Sequence, residues 1–136
     1  MPVEKSAIPL VAVEFMNVDH HEAVDLANIL EERLTADAGV DEQAVGSALQ
    51  AFLDHTREHF AREEEEMVRT MFPVYHIHKS EHDRVLEDMD VVYRDWVTDK
   101  DAGKLLAWVQ GPLPAWLVEH IQTMDTITAQ FIGAAG

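Results

Sequence analysis

"HTREHFAREEEEM", residues 55–67, sets His55 and His59 four apart and follows them with four consecutive glutamates. Side chains four apart on a helix share a face, so His59 and Glu63 stack one turn from each other. Two readings compete. Either the stretch is the polar flank of an acidic helix, or it carries two ligands of a metal site inside a helical bundle. The remaining histidines decide between them.

The hydrophobic pattern around this stretch is helical throughout. Val45, Ala48, Leu49, Phe52, Phe60 and Met67 form one apolar stripe over residues 41–70. Asp41 is placed to cap that helix, and Pro73 in "MFPVY" to end it. A helix over 18–37 precedes it and breaks at Gly39. Another over 74–98 carries Val85, Leu86, Met89, Val92 and Trp96 on one side. A short helical piece covers 104–110. A last helix runs to about 132, starting at Pro112 and Pro114 and presenting Leu113, Trp116, Leu117, Ile121, Met124, Ile127 and Phe131. No stretch alternates as a strand does. Long amphipathic helices joined by short loops imply an all-α, antiparallel up-down four-helix bundle over residues 16–136, preceded by an N-terminal arm, residues 1–15.

Composition narrows the chemistry. The chain has 136 residues, no cysteine and a formal net charge of −16. Thiolate chemistry is excluded, and any metal must take nitrogen and oxygen ligands. A surface this acidic repels phosphate backbones and anionic lipid, which argues against nucleic-acid and membrane partners. No apolar run reaches the ~20 residues of a membrane span. The N-terminus lacks the basic segment of a signal peptide, so a cytoplasmic protein is expected.

Extending each helix face sorts the eight histidines. His20 continues onto Val24, Ala27 and Leu34, whereas His21 continues onto Asp25, Asn28 and Glu32. His78 and His82 lie in line with Val85, Met89, Val92 and Trp96, while His76 leads to a polar face. His59 and Glu63 lie on the line from Val45 to Met67, with His55 at its edge. His120 shares a face with Leu113, Trp116, Leu117, Met124 and Ile127. A lone inward histidine is usually a hydrogen-bonded core residue. Five on facing helices would leave buried lone pairs unmatched unless a metal takes them. Asp125 follows His120 by five residues, about 140° away on a regular helix. The two either flank the site or are drawn together by a π-bulge, and the second reading is preferred here. Five imidazoles and two carboxylates exceed a tetrahedral zinc site and suit two ions bridged by carboxylates, with iron favoured.

The order His20, "HFAREE", "FPVYHIHKSEH" and "WLVEHIQTMD" resembles the hemerythrins, in particular the single-domain bacterial ones, over residues 15–130. The resemblance implies a non-haem di-iron protein that binds O2 reversibly. It implies that His78, His82 and His120 hold one iron and His20 and His59 the other. Glu63 and Asp125 would bridge the pair together with an oxo or hydroxo group. Leu117, one turn before the last histidine ligand, would line the O2 pocket with Ile121. Nitric oxide, peroxide and azide-like anions are the other expected ligands. The alternative is a di-iron enzyme acting on peroxide, nitric oxide or O2 at the same site. The sequence departs from the family at Asn17, usually Asp, and at His55, usually Tyr. Neither change removes a ligand, and His55 is expected beside His59, behind the metal ligands. Glu64 to Glu66 read as a solvated acidic edge, with Glu64 the nearest of them to the site.

Overall fold

A computed structural model describes residues 4–135. The first three residues of the expected arm and Gly136 of the expected bundle lie outside the described residues. After a 3-10 turn at Lys5–Ala7, the helices are α1 (Glu14–Leu34), α2 (Glu42–Arg69), α3 (Tyr75–Asp99), α4 (Ala102–Gln110), α5 (Pro112–His120) and α6 (Thr126–Ala134). A π-helical segment, Ile121–Asp125, joins α5 to α6, so these three pieces make one rod. With α1, α2 and α3 that rod forms a four-helix bundle, and no strand occurs among the described residues. The short α4 crosses one end and packs against α1, α3 and α5.

Local chemistry explains the boundaries. Asp41 Oδ1 accepts from the Gln43 and Ala44 backbone N–H groups at 3.0 and 3.1 Å, satisfying two donors that the first turn of α2 would leave unpaired. Gly39 in the preceding loop has a φ of 99°, in the region that favours glycine. The end of α2 is set before Pro73 is reached. Met71 turns into the left-handed region at φ 59°, and the Phe72 N–H reaches back to the Met67 carbonyl. Burial of Phe72 against Met67 and Ile132 holds that turn. The N-terminal arm is tied down by Asn17. Its side chain accepts from the Val11 N–H at 2.8 Å and donates to the Val11 carbonyl at 3.0 Å.

The apolar core is divided along the bundle. The larger part, around Leu30, Leu49, Leu53, Val85, Met89 and Trp96, fills the half next to α4. A smaller group, Met67, Phe72 and Ile132, closes the opposite end. A belt of buried polar side chains lies between them.

The last rod corrects one sequence expectation. Ile127, placed on the inner stripe by regular helical spacing, is 58% exposed. The π segment inserts one extra residue, and each residue turns a helix by about 100°. Thr128, Ala129 and Ile132 therefore take the inner positions.

Candidate metal centre

His20 on α1, His59 and Glu63 on α2, His78 and His82 on α3, His120 at the end of α5 and Asp125 at the end of the π segment are all buried. His76 is exposed, as its face predicts, whereas His21, expected on the polar face, is half-buried. The π segment makes the His120–Asp125 spacing work. Its Thr126 N–H bonds the Ile121 carbonyl five residues back, and the Thr126 hydroxyl donates to the same carbonyl at 2.7 Å. His120 Nε2 and Asp125 Oδ1 consequently stand 3.1 Å apart.

The two carboxylates lie between two sets of imidazoles. Glu63 Oε1 faces His82 Nε2 at 3.2 Å and His78 Nε2 at 3.7 Å. Its Oε2 faces His59 Nε2 at 2.8 Å and His20 Nε2 at 3.8 Å. Asp125 divides the same way. Oδ1 meets His78 and His120, each at 3.1 Å, and Oδ2 meets His20 at 3.0 Å. Ligand atoms of Glu63, His78, His82, His120 and Asp125 lie within 4.8 Å of one another, and so do those of His20, His59, Glu63 and Asp125. Each carboxylate thus offers one oxygen to each set.

The contact between His20 Nε2 and Asp125 Oδ2 is a hydrogen bond, but most of the others leave their groups unsatisfied. Among the described residues, His82 Nε2, both Glu63 oxygens and Asp125 Oδ1 are buried without a hydrogen-bond partner, and so is His20 Nδ1. Buried polar atoms are rarely left so, and a cluster of them around a common centre fits metal ions. Imidazole nitrogen with carboxylate oxygen suits iron.

The outward ring nitrogens are held by neighbours. His59 Nδ1–H donates to Asp19 Oδ2 at 2.9 Å, and the Arg62 guanidinium donates to that oxygen at 3.0 and 2.7 Å. His82 Nδ1–H donates to Glu64 Oε2 at 2.9 Å, and His78 Nδ1–H to the Thr128 hydroxyl at 2.8 Å. Such bonds fix the tautomer with the Nε2 lone pair facing inward. Phe60 stacks on the His82 ring at 3.8 Å, and Trp116 on His120 at 4.7 Å. Sequence reasoning missed Asp19, Arg62 and Thr128. The single cue for Asp19 was an acid directly before an inward histidine.

Charge explains the protonation of the metal-free site. Burial opposes the His59 cation, but the charge of Glu63 and the hydrogen bond to Asp19 outweigh it, raising His59 to about 10. Burial likewise opposes the cations of His20 and His82, but Asp125 and Glu63 raise the first, and Glu63 and Glu64 the second. Glu63 and Asp125 are held below the ordinary carboxylate range: burial pushes them up, and the surrounding imidazoles more than reverse it.

A cavity of about 20 Å³ reaches His20, His59 and His120, walled in part by Leu117, Phe60, Phe52, Leu113, Trp116 and His55. Ile121 packs behind Leu117 with Val24 and Ile8. Met89, Leu113 and Trp116 also line a surface hollow of about 200 Å³, so these three side chains partition the cavity from that hollow. His55 is buried beside His59, with the two rings nearly parallel at 6.3 Å.

Fold and site together define an all-helical protein built to hold cations between facing imidazoles and shared carboxylates. Residues 11–132 match the family model described as the hemerythrin HHE cation binding domain, and the chain belongs to the hemerythrin family. It is 28% identical to a bacteriohemerythrin of Aquifex aeolicus (strain VF5), over 98% of this chain and 99% of that one. It is 36% identical to a bacteriohemerythrin of Ralstonia nicotianae (strain ATCC BAA-1114 / GMI1000), over 76% of this chain and 74% of the other. A crystal structure of wild-type hemerythrin superposes with a TM-score of 0.80 at 23% identity, covering 98% of each chain. No helix among the described residues is long and apolar enough to cross a membrane.

Proposed function

We propose that this protein binds O2 reversibly at a non-haem iron pair held in residues 16–136, with residues 1–15 as an arm outside that unit. His78, His82 and His120 would hold one iron and His20 and His59 the other, with Glu63 and Asp125 shared between them and an oxo or hydroxo group expected beside them. When bound, the iron pair supplies the two electrons that hold O2 and recovers them on release. The observation that carries this reading is the unequal division of donors. One group contributes three imidazoles and the other two, while both share the same two carboxylates. The small cavity reaches both imidazoles of the group with fewer donors, and His120 alone of the other group's three.

The chain's own groups serve that task. Leu117, Phe60 and Phe52 keep the cavity small and apolar, which disfavours water. Asp19, Glu64 and Thr128 orient the imidazoles from behind. Iron must be reduced before O2 binds, so a reducing cytoplasm is the proposed location.

Reduced, iron-loaded protein tests the reading. Exposure to O2 should produce a ligand-to-iron charge-transfer band that disappears under vacuum and returns over repeated cycles. Rapid conversion to a stable ferric form, with peroxide or nitric oxide consumed catalytically, would replace carriage with enzymatic turnover at the same centre.

A further inference from the structure

We propose a second, separate cation site at the mouth of the α1–α2 interface, formed by His55, Glu22 and Asp19 and suited to a divalent transition-metal ion. The proposal does not depend on which ions fill the buried centre, since neither Glu22 nor His55 belongs to either buried donor group.

The orientation of His55 carries the argument. Its Nε2 lies 2.9 Å from the Asp19 backbone carbonyl oxygen. A carbonyl only accepts, so Nε2 bears the proton, and in the neutral ring Nδ1 carries the lone pair. That lone pair faces Glu22 Oε2 at 3.8 Å, too far for a hydrogen bond. Two electron-pair donors thus confront each other across a gap. Nitrogen and oxygen ligands at about 2.0–2.2 Å from one ion stand roughly 3–4 Å apart, so the gap matches a shared cation.

Asp19 closes the group. One ligand atom from each of Asp19, Glu22 and His55 lies within 4.8 Å of the others. Asp19 and Glu22 are three apart on α1, on one helical face. His59 and Arg62 both donate to Asp19 Oδ2, which leaves Oδ1 for an ion. Two carboxylates against one guanidinium leave a net negative charge, and one imidazole with two carboxylate oxygens suits zinc, manganese or ferrous iron. His55 is buried, whereas the Glu22 side chain is 57% exposed, so an ion reaches the site from solvent and keeps water in its remaining positions. Asp19 also holds His59, so a cation here draws on the same carboxylate that orients a ligand of the buried centre.

Calorimetric titration of the iron-loaded, oxidised protein with Zn2+ tests the site, with iron assayed before and after. About one equivalent should bind saturably without iron release. Glu22→Gln, an exposed change, should weaken that binding by ~10-fold or more at unchanged iron content. His55→Phe should abolish it, with circular dichroism to verify the fold, and His76→Ala should leave it intact. Absence of saturable binding overturns the proposal. So does binding that survives Glu22→Gln, or zinc uptake matched by iron loss.

Discussion

Asp19 Oδ2 accepts three hydrogen bonds, one from His59 and two from Arg62. Burial alone would raise this carboxyl, but its partners keep it charged below the ordinary range. A charged acceptor behind an imidazole raises the basicity of the far nitrogen and fixes the ring. Asp19→Asn keeps the shape and loses the charge. It should weaken metal binding on the His20 and His59 side by about 10–100-fold, while the three-histidine side stays filled. Iron-to-protein ratios after dialysis against graded chelator check this; loss of both ions in parallel would refute the division of roles. Asn17 is a residue whose departure from the family pattern has a visible use. An aspartate could accept from the Val11 N–H, but it could not donate to the Val11 carbonyl. Asn17→Asp should therefore cost about 1 kcal/mol, read as a shift in the denaturant midpoint with an unchanged slope.

The π segment between α5 and α6 shows why a regular helical reading of this sequence stops short. His59 with Glu63 and His78 with His82 were legible because each pair is four apart on an unbroken helix, and their stripes run into apolar residues. His20 and His120 were legible for the same reason. Asp125 was legible only as a problem, since five residues fit no single face of a regular helix. Beyond it the expected stripe slips, which is why Ile127 was read as inner and Thr128 passed unnoticed. Asp19 and Arg62 were hidden for another reason. Their role depends on how closely α1 and α2 approach, and no periodicity within one helix encodes that distance. The π segment also makes a test at its own scale. Deleting exposed Gln122 would leave His120 and Asp125 four apart on a continuous α-helix, again on one face, with Thr128 still inward. Both metals should be retained by that deletion. Thr128→Val, by contrast, removes the acceptor for His78 Nδ1–H in a buried place and should lower metal affinity by about tenfold or more. Metal loss in the deletion variant at intact helicity would mean that the π geometry itself is required.

Taken as a whole, the bundle places its buried charge between two apolar ends, and that arrangement sets how the molecule responds to pH. In the metal-free protein, His59 is raised from 6.5 to about 10, with His20 and His82 raised as well. A group whose pKa rises on folding stabilises the fold fully below its unfolded value, and that contribution is lost as pH climbs through the folded value. Glu63 and Asp125 are depressed, so their contribution is present above the ordinary carboxylate range and fades only in acid. The metal-free protein should therefore be most stable just below neutrality and should lose stability steadily from about 6.5 to about 10. Metal ions reverse the sign of the histidine contribution. They need deprotonated imidazoles, so raising the pH removes a competitor for the same nitrogens. Melting temperatures of the loaded and stripped proteins, measured in parallel from pH 6 to pH 9, should consequently move apart, with the loaded form changing little and the stripped form falling. A gap that stays constant over this range would mean that the imidazoles are already neutral without metal, and that the shared carboxylates do not hold protons on them.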